Sequence, residues 1–172
     1  MRLIVAFMSM LTFSSYSLTS VPSKYFLGAG DTIQIIVYQE PDLTTLTRVN
    51  QSGYINLPLV GQVKIEGLTI ENATASIERK LKDGYLVYPD VTLIVKEYRP
   101  FFIHGEVKSP GSYKYQAEIN LEQAIALAGG LKDRASNSQW MIWRGLPQKP
   151  FKASKSEKIL PGDVIKINKS FF

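Results

Sequence analysis

Two stretches of this chain share one frame. Gly30-Asp31-Thr32-Ile33-Gln34-Ile35 near the start and Gly162-Asp163-Val164-Ile165-Lys166-Ile167 near the end both read G-D-x-I-x-I. In each, the glycine can take a positive φ and the aspartate can bond to nearby backbone N–H groups, so the chain turns tightly into a strand. The isoleucines at alternate positions then face one side of that strand, which needs a cover. The frame is turn chemistry rather than a repeat array, and it places one half-buried strand in each half of the chain.

The segments between these turns divide into two α+β units. After Tyr25 to Asp31 a strand is expected over 32–38, broken by Glu40-Pro41-Asp42-Leu43, with short strands over 45–49, 54–57 and 62–65. The period then changes. Thr69 is a good N-cap, Ile70, Ala73, Ile77 and Leu81 fall on one helical face, and Gly84 supplies the stop. A β-branched strand over 91–95 closes a first unit, expected to span residues 21–98. The second unit, residues 99–172, opens with a strand at Phe101 to His104, a turn at Pro110-Gly111 and a returning strand over 112–115. Asn120 with Gln123 three residues on reads as a capping box, Leu121, Ala124, Ile125 and Ala128 as a buried helix face, and Gly129-Gly130 as its end. Strands over 139–144 and 164–167 complete the order β-β-α-β-β of a β-grasp-like module, the last entered through Leu160-Pro161-Gly162-Asp163.

The residue inventory excludes much chemistry. At 172 residues the chain holds one ordinary domain or two small ones, with 45% apolar and 20% charged residues. There is no cysteine, hence no disulfide scaffold, thiolate metal site, sulfur nucleophile or lipidated cysteine, and His104 is the one histidine. Gly28-Ala29-Gly30 leads into a strand and lacks the helix N-terminus that a phosphate-binding loop needs. No frame marks a pair of catalytic carboxylates. No catalytic residue, cofactor or metal ligand is assigned, and the expectation is a protein that is not an enzyme.

Residues 1–20 read as a cleaved signal peptide. A basic start at Arg2 precedes an apolar run from Leu3 to Phe13 and then small residues, with cleavage after Ser17 or Ser20. The apolar run falls short of the roughly 20 residues of a spanning helix. The mature chain is expected to be exported and soluble, in the periplasm of a Gram-negative cell.

Charge and aromatic residues mark the candidate contact surfaces. From Arg144 onward seven basic side chains stand against Glu157 and Asp163, a patch suited to an acidic glycan, lipid head groups or a solvated edge. No nucleic-acid-binding frame accompanies it, so nucleic acid is not an expected partner. Tyr85 and Tyr88 flank an apolar pair before Pro89. Trp140 and Trp143 differ in parity, so a regular strand sends them to opposite faces, and one of them lies outside the core. These four residues are candidates for a subunit interface or a glycan contact.

Three frames in order resemble a known family. The stretch Tyr25 to Ile35, with Gly28, Gly30 and Asp31, resembles the opening of the polysaccharide biosynthesis/export domain. Ile103 to Tyr113, with Gly105, Pro110 and Gly111, then Leu121 to Gly130, with Gly129 and Gly130, then Leu160 to Ile167, with Pro161, Gly162 and Asp163, are similar to a soluble-ligand-binding β-grasp (SLBB) domain. Together they resemble the Wza-like outer-membrane polysaccharide export proteins. That resemblance implies a non-catalytic conduit for capsular or exopolysaccharide, built as a homo-oligomeric ring in the periplasm and associated with the outer membrane. It also implies an inner-membrane co-polymerase as partner. Longer members carry further β-grasp domains, a C-terminal pore helix and often a lipid anchor. This chain stops after one β-grasp unit, so a separate outer-membrane barrel protein is expected to complete the path. The alternative is a periplasmic glycan-binding module that does not conduct.

Overall fold

The computed structural model describes residues 25–170, and the expected leader with its cleavage positions lies outside them. The fold is mixed α+β, with ten strands and two helices among the described residues. In the first unit β1 (Thr32–Val37) is the centre of a three-stranded antiparallel sheet, flanked by β2 (Thr45–Arg48) and β5 (Val91–Glu97). A single 3-10 turn at Pro41–Leu43 carries the chain from β1 to β2. A separate hairpin pairs β3 (Tyr54–Leu57) with β4 (Gly61–Lys64).

Helix α1 (Ile70–Lys82) starts at Thr69, whose hydroxyl accepts from the Asn72 N–H at 3.3 Å. Its buried face is Ala73, Ile77 and Leu81, which pack with Ile33, Ile35, Val37, Leu93 and the hairpin residues Ile55 and Val63 in one apolar cluster. The alternation in β1 thus places every second residue against the helix and leaves Thr32, Gln34 and Ile36 on the opposite face.

The second unit is one five-stranded mixed sheet in the order β7-β6-β10-β8-β9. Its centre is the parallel pair β6 (Phe101–Gly105) and β10 (Val164–Lys169), and the remaining neighbours, β7 (Gly111–Tyr113), β8 (Ala135–Arg144) and β9 (Lys149–Ala153), pair antiparallel. The first and last strands side by side in the middle, with helix α2 (Leu121–Leu127) laid across one face, are the β-grasp arrangement. The capping box forms as expected: Asn120 accepts from Gln123 N–H at 2.9 Å, and the Gln123 side chain accepts from Asn120 N–H at 3.0 Å.

The unit departs from the expected order in three places. Strand β9 is additional, so the order is β-β-α-β-β-β. It lies at the sheet edge, where Pro150 removes no needed donor and the lysines blunt further pairing. Strand β8 begins at Ala135 rather than Gln139, because its polar opening is fastened locally. The Ser136 hydroxyl accepts from Gln139 N–H at 3.1 Å, and Trp140 Nε1 donates to the Ser136 carbonyl at 2.6 Å. The returning strand after β6 is Gly111–Tyr113 rather than 112–115. Pro110 and Gly111 are reached through a longer loop, closed by Lys108 N–H to Gly130 O at 3.0 Å and Ser109 N–H to Ala128 O at 2.8 Å.

The parity of β6 gives a test of which sheet face carries the fold. Phe101 is fully buried and stacks on Tyr113 at 5.8 Å, whereas Phe102 is 46% exposed. In urea titrations Phe101→Ala should cost about 3–5 kcal/mol, and Phe102→Ala should stay within about 0.5 kcal/mol of the parent.

Candidate functional site

The two G-D-x-I-x-I turns fold alike. Asp31 N–H donates to Gly28 O at 3.1 Å while its carboxylate accepts from Gly28 N–H at 2.8 Å. Asp163 repeats both bonds with Leu160, at 3.1 and 2.8 Å. The intervening Gly30 and Gly162 hold φ of 98° and 86°, a region closed to most side chains. Both aspartates are almost wholly buried, and each is paired with an arginine.

Those arginines come from distant positions. Arg99 reaches Asp31 with its backbone N–H at 2.8 Å and with Nη1 at 3.0 Å, and the same Nη1 donates to the Tyr25 hydroxyl at 3.0 Å. Tyr25 in turn donates to Asp31. Burial, then the Asp31 charge, pushes the Tyr25 phenol well above its usual range, so it remains a donor. Arg144 grips Asp163 from Nε at 2.9 Å and Nη2 at 2.8 Å, and also reaches Glu157 at 3.2 Å. Burial works against its charge, but the hydrogen bond and charge of Asp163, followed by Glu157, outweigh this and raise its pKa.

Arg99 does more than neutralise one turn. It stands at the junction of the two units, and a Cβ added at Gly28 or at Gly162 would run into its guanidinium, so both turns close onto the same side chain. Around it Tyr25 meets Tyr98 edge-on at 5.0 Å and Tyr98 meets Tyr115 at 5.4 Å, an aromatic path from one unit to the other. Gly162 N–H also donates to Pro100 O at 3.2 Å. Beside this seam lies an open groove of about 260 Å³, lined by Thr32, Arg48, Glu97, Tyr98 and Lys114, with Lys114 and Glu97 paired at 3.4 Å.

The remaining sequence candidates scatter. Gly105 ends β6 against the backbone of Ile167, Gly129 and Gly130 follow α2, and Pro161 is buried before the Asp163 turn. Trp140 is in the second core at 2% exposure, and Trp143 lies on the opposite face, half-buried. Tyr85 and Tyr88 sit in the loop after α1, 49% and 91% exposed, and Val87 between them is 72% exposed. His104 is exposed on β6. Arg99 escaped the sequence reading; its place just before Pro100, between the two units, was the available signal.

Chemically this is a structural site. The donors around Asp31 and Asp163 are drawn from their own turns, from Tyr25 and from arginines, so that both carboxylates are engaged within the protein. No group of three or more metal-ligating side chains gathers among the described residues. No described helix is long and apolar enough to cross a membrane.

Two small α+β units, the second a β-grasp, thus meet at one shared arginine. Residues 19–96 match the polysaccharide biosynthesis/export protein family, and residues 100–147 match the SLBB domain. The chain is 34% identical over 93 residues to the exopolysaccharide production protein ExoF of Rhizobium meliloti, covering 53% of this chain and 22% of that one. It is 28% identical over 154 residues to the EPS I polysaccharide export outer membrane protein EpsA of Ralstonia solanacearum, covering 72% and 40%. To the polysialic acid transport protein KpsD of Escherichia coli it is 29% identical over 124 residues, covering 70% and 22%. The matched region thus spans between about a fifth and two fifths of these relatives' length.

Removing Arg99 leaves a buried carboxylate short of its main counter-charge. Arg99→Ala should cost about 3 kcal/mol in urea unfolding and broaden the particle in small-angle scattering as the two units lose their fixed angle. The raised Tyr25 phenol gives a second expectation. Its folded pKa lies above the unfolded value of 10.0, so its contribution is complete below pH 10 and is lost as pH rises beyond it. Stability measured from pH 9 to about 11.5 should fall less steeply in Tyr25→Phe than in the parent.

Proposed function

We propose that this chain is the periplasmic component of a capsular or exopolysaccharide export channel, a non-catalytic conduit that works as a ring of identical subunits. Residues 21–98 are its export domain and residues 99–172 its SLBB domain, meeting at Arg99. A signal peptide over residues 1–20 delivers it. An inner-membrane co-polymerase feeds the ring, and a separate outer-membrane barrel protein completes the path. The observation that carries this reading is the ordered pair of domains, each matched to its family and held together by the Asp31–Arg99 network. Relatives named for export and transport of polysaccharide support it.

A conduit needs a self-associating surface, and heterologous head-to-tail contacts close into rings. The exposed Tyr85-Leu86-Val87-Tyr88 loop offers such a surface, because tyrosines this open on a monomer are typical of interface anchors. Trp140, in the core, is not part of it. In a producing strain, deletion of the chain should abolish surface polysaccharide. Native mass spectrometry of the detergent-extracted protein should give one closed ring order, lowered towards monomer by Tyr85→Ala with Tyr88→Ala. Undiminished export after deletion, with a monomer as the sole recovered species, would sink the proposal.

A further inference from the structure

Among the described residues the β-grasp sheet carries its helix and its apolar core on one face only. Helix α2 packs against Phe101, Ile103, Trp140, Ile142, Ile165 and Ile167, so the alternate residues of the same strands point the other way. Strand register arranges these outward residues in two rows. Phe102 pairs with Val164, Val164 with Trp143, and Trp143 with Pro150, which makes one apolar row across four strands. Two residues along each strand, His104 pairs with Lys166, Lys166 with Met141, and Met141 with Lys152, which makes a second row. The rows are about 7 Å apart along the strands, and the two lysines, separated by β8, stand roughly 10 Å apart.

The lysines on this face have no carboxylate partner among the described residues. Elsewhere in the basic C-terminal region Arg144 pairs with Asp163 and Glu157, Lys155 with Glu122, Lys158 with Glu118 and Lys169 with Glu106, and only Lys149 makes no ion pair among the described residues. Lys152 and Lys166 make no ion pair among the described residues, and neither row contains an acidic side chain. Beside Lys152 a groove of about 260 Å³ adds Asn137, Ser138 and Ser154, donors and acceptors suited to hydroxyl groups.

We propose that this open face binds an acidic polysaccharide, with Phe102 and Trp143 stacking on sugar rings and Lys152 and Lys166 meeting carboxylates on the chain. An extended sugar polymer offers what these rows complement: apolar C–H faces, repeated negative charge and many hydroxyls. The proposal rests on the export reading and adds to it the class of polymer and the surface that meets it.

The test is titration of the purified mature protein with polygalacturonate and with neutral dextran, followed by calorimetry and tryptophan fluorescence. With two tryptophans in the chain, Trp140→Phe leaves Trp143 as the sole reporter. Polygalacturonate should quench it, and dextran should bind about tenfold more weakly or worse. Lys152→Ala with Lys166→Ala should weaken polygalacturonate binding about tenfold or more, whereas Lys80→Ala with Lys82→Ala, which removes the same charge from α1, should leave it within about twofold. Equal affinity in the Lys152/Lys166 variant, or an equal loss in the α1 control, would overturn the proposal. So would tighter lysine-dependent binding of duplex DNA, or a change of oligomeric state in the face variant, which would make this face an interface between copies. The two readings fail separately. Deletion without effect on export, while polygalacturonate still binds through these lysines, removes only the conduit. Export lost on deletion but intact in the lysine variant, with binding unchanged, removes only the glycan face.

Discussion

A carboxylate buried without compensation costs several kcal/mol, and this molecule buries two in equivalent turns. Asp31 is the one on which the two-domain arrangement depends. Its own turn supplies one backbone donor, and the remaining donors are Tyr25 and both the backbone and side chain of Arg99. Arg99 is the residue at which the chain leaves β5 and enters β6, so satisfying the carboxylate also fixes the direction of the second unit. One guanidinium nitrogen, Nη1, serves the Asp31 carboxylate, the Tyr25 hydroxyl and the Phe26 carbonyl together.

The second turn shows what that interaction looks like without a domain-joining role. Asp163 has the same contacts to its own backbone, but its arginine comes from β8 of the same sheet, and Glu157 shares it. One frame therefore serves two purposes, according to where its counter-charge arises. The seam unites them, because Gly162 of the second turn leaves room for the Arg99 guanidinium that the first turn holds. Two small cores that could rotate about a single connection are instead held in one relation by hydrogen bonds, an aromatic path and close backbone approach.

What the sequence revealed was local, and what it concealed was tertiary. Thr69 and the Asn120–Gln123 box announced helix starts because a cap bonds to residues two or three positions away. The G-D-x-I-x-I frames announced their turns for the same reason. The partner of Asp31 lies 68 residues away, and no spacing encodes it. Strand β9 was hidden because Pro150 and flanking lysines resemble a loop until the edge of a sheet is there to use them. The opposite parity of Trp140 and Trp143 was legible, but which ring goes inside is decided by the side of the sheet on which α2 lands.

That one-sidedness leaves one sheet face open for the glycan contact proposed above. A β-grasp sheet with a single helix spends its alternation on one core, and the other face is free to carry residues that folding does not require. In this chain those residues are not the neutral polar set of a solvated sheet; they are two aromatic rings and two unpaired lysines. Their direction relative to the first unit is fixed by Arg99. Any contact that the exposed tyrosine loop makes with a neighbouring molecule therefore also sets where the lysine face points. In a ring, a rigid joint converts one repeated contact into one repeated orientation, so that every subunit would present the same strip to whatever passes. A flexible joint would scatter those strips, which gives a physical reason for one of the two buried carboxylates to hold its arginine at the seam between the units.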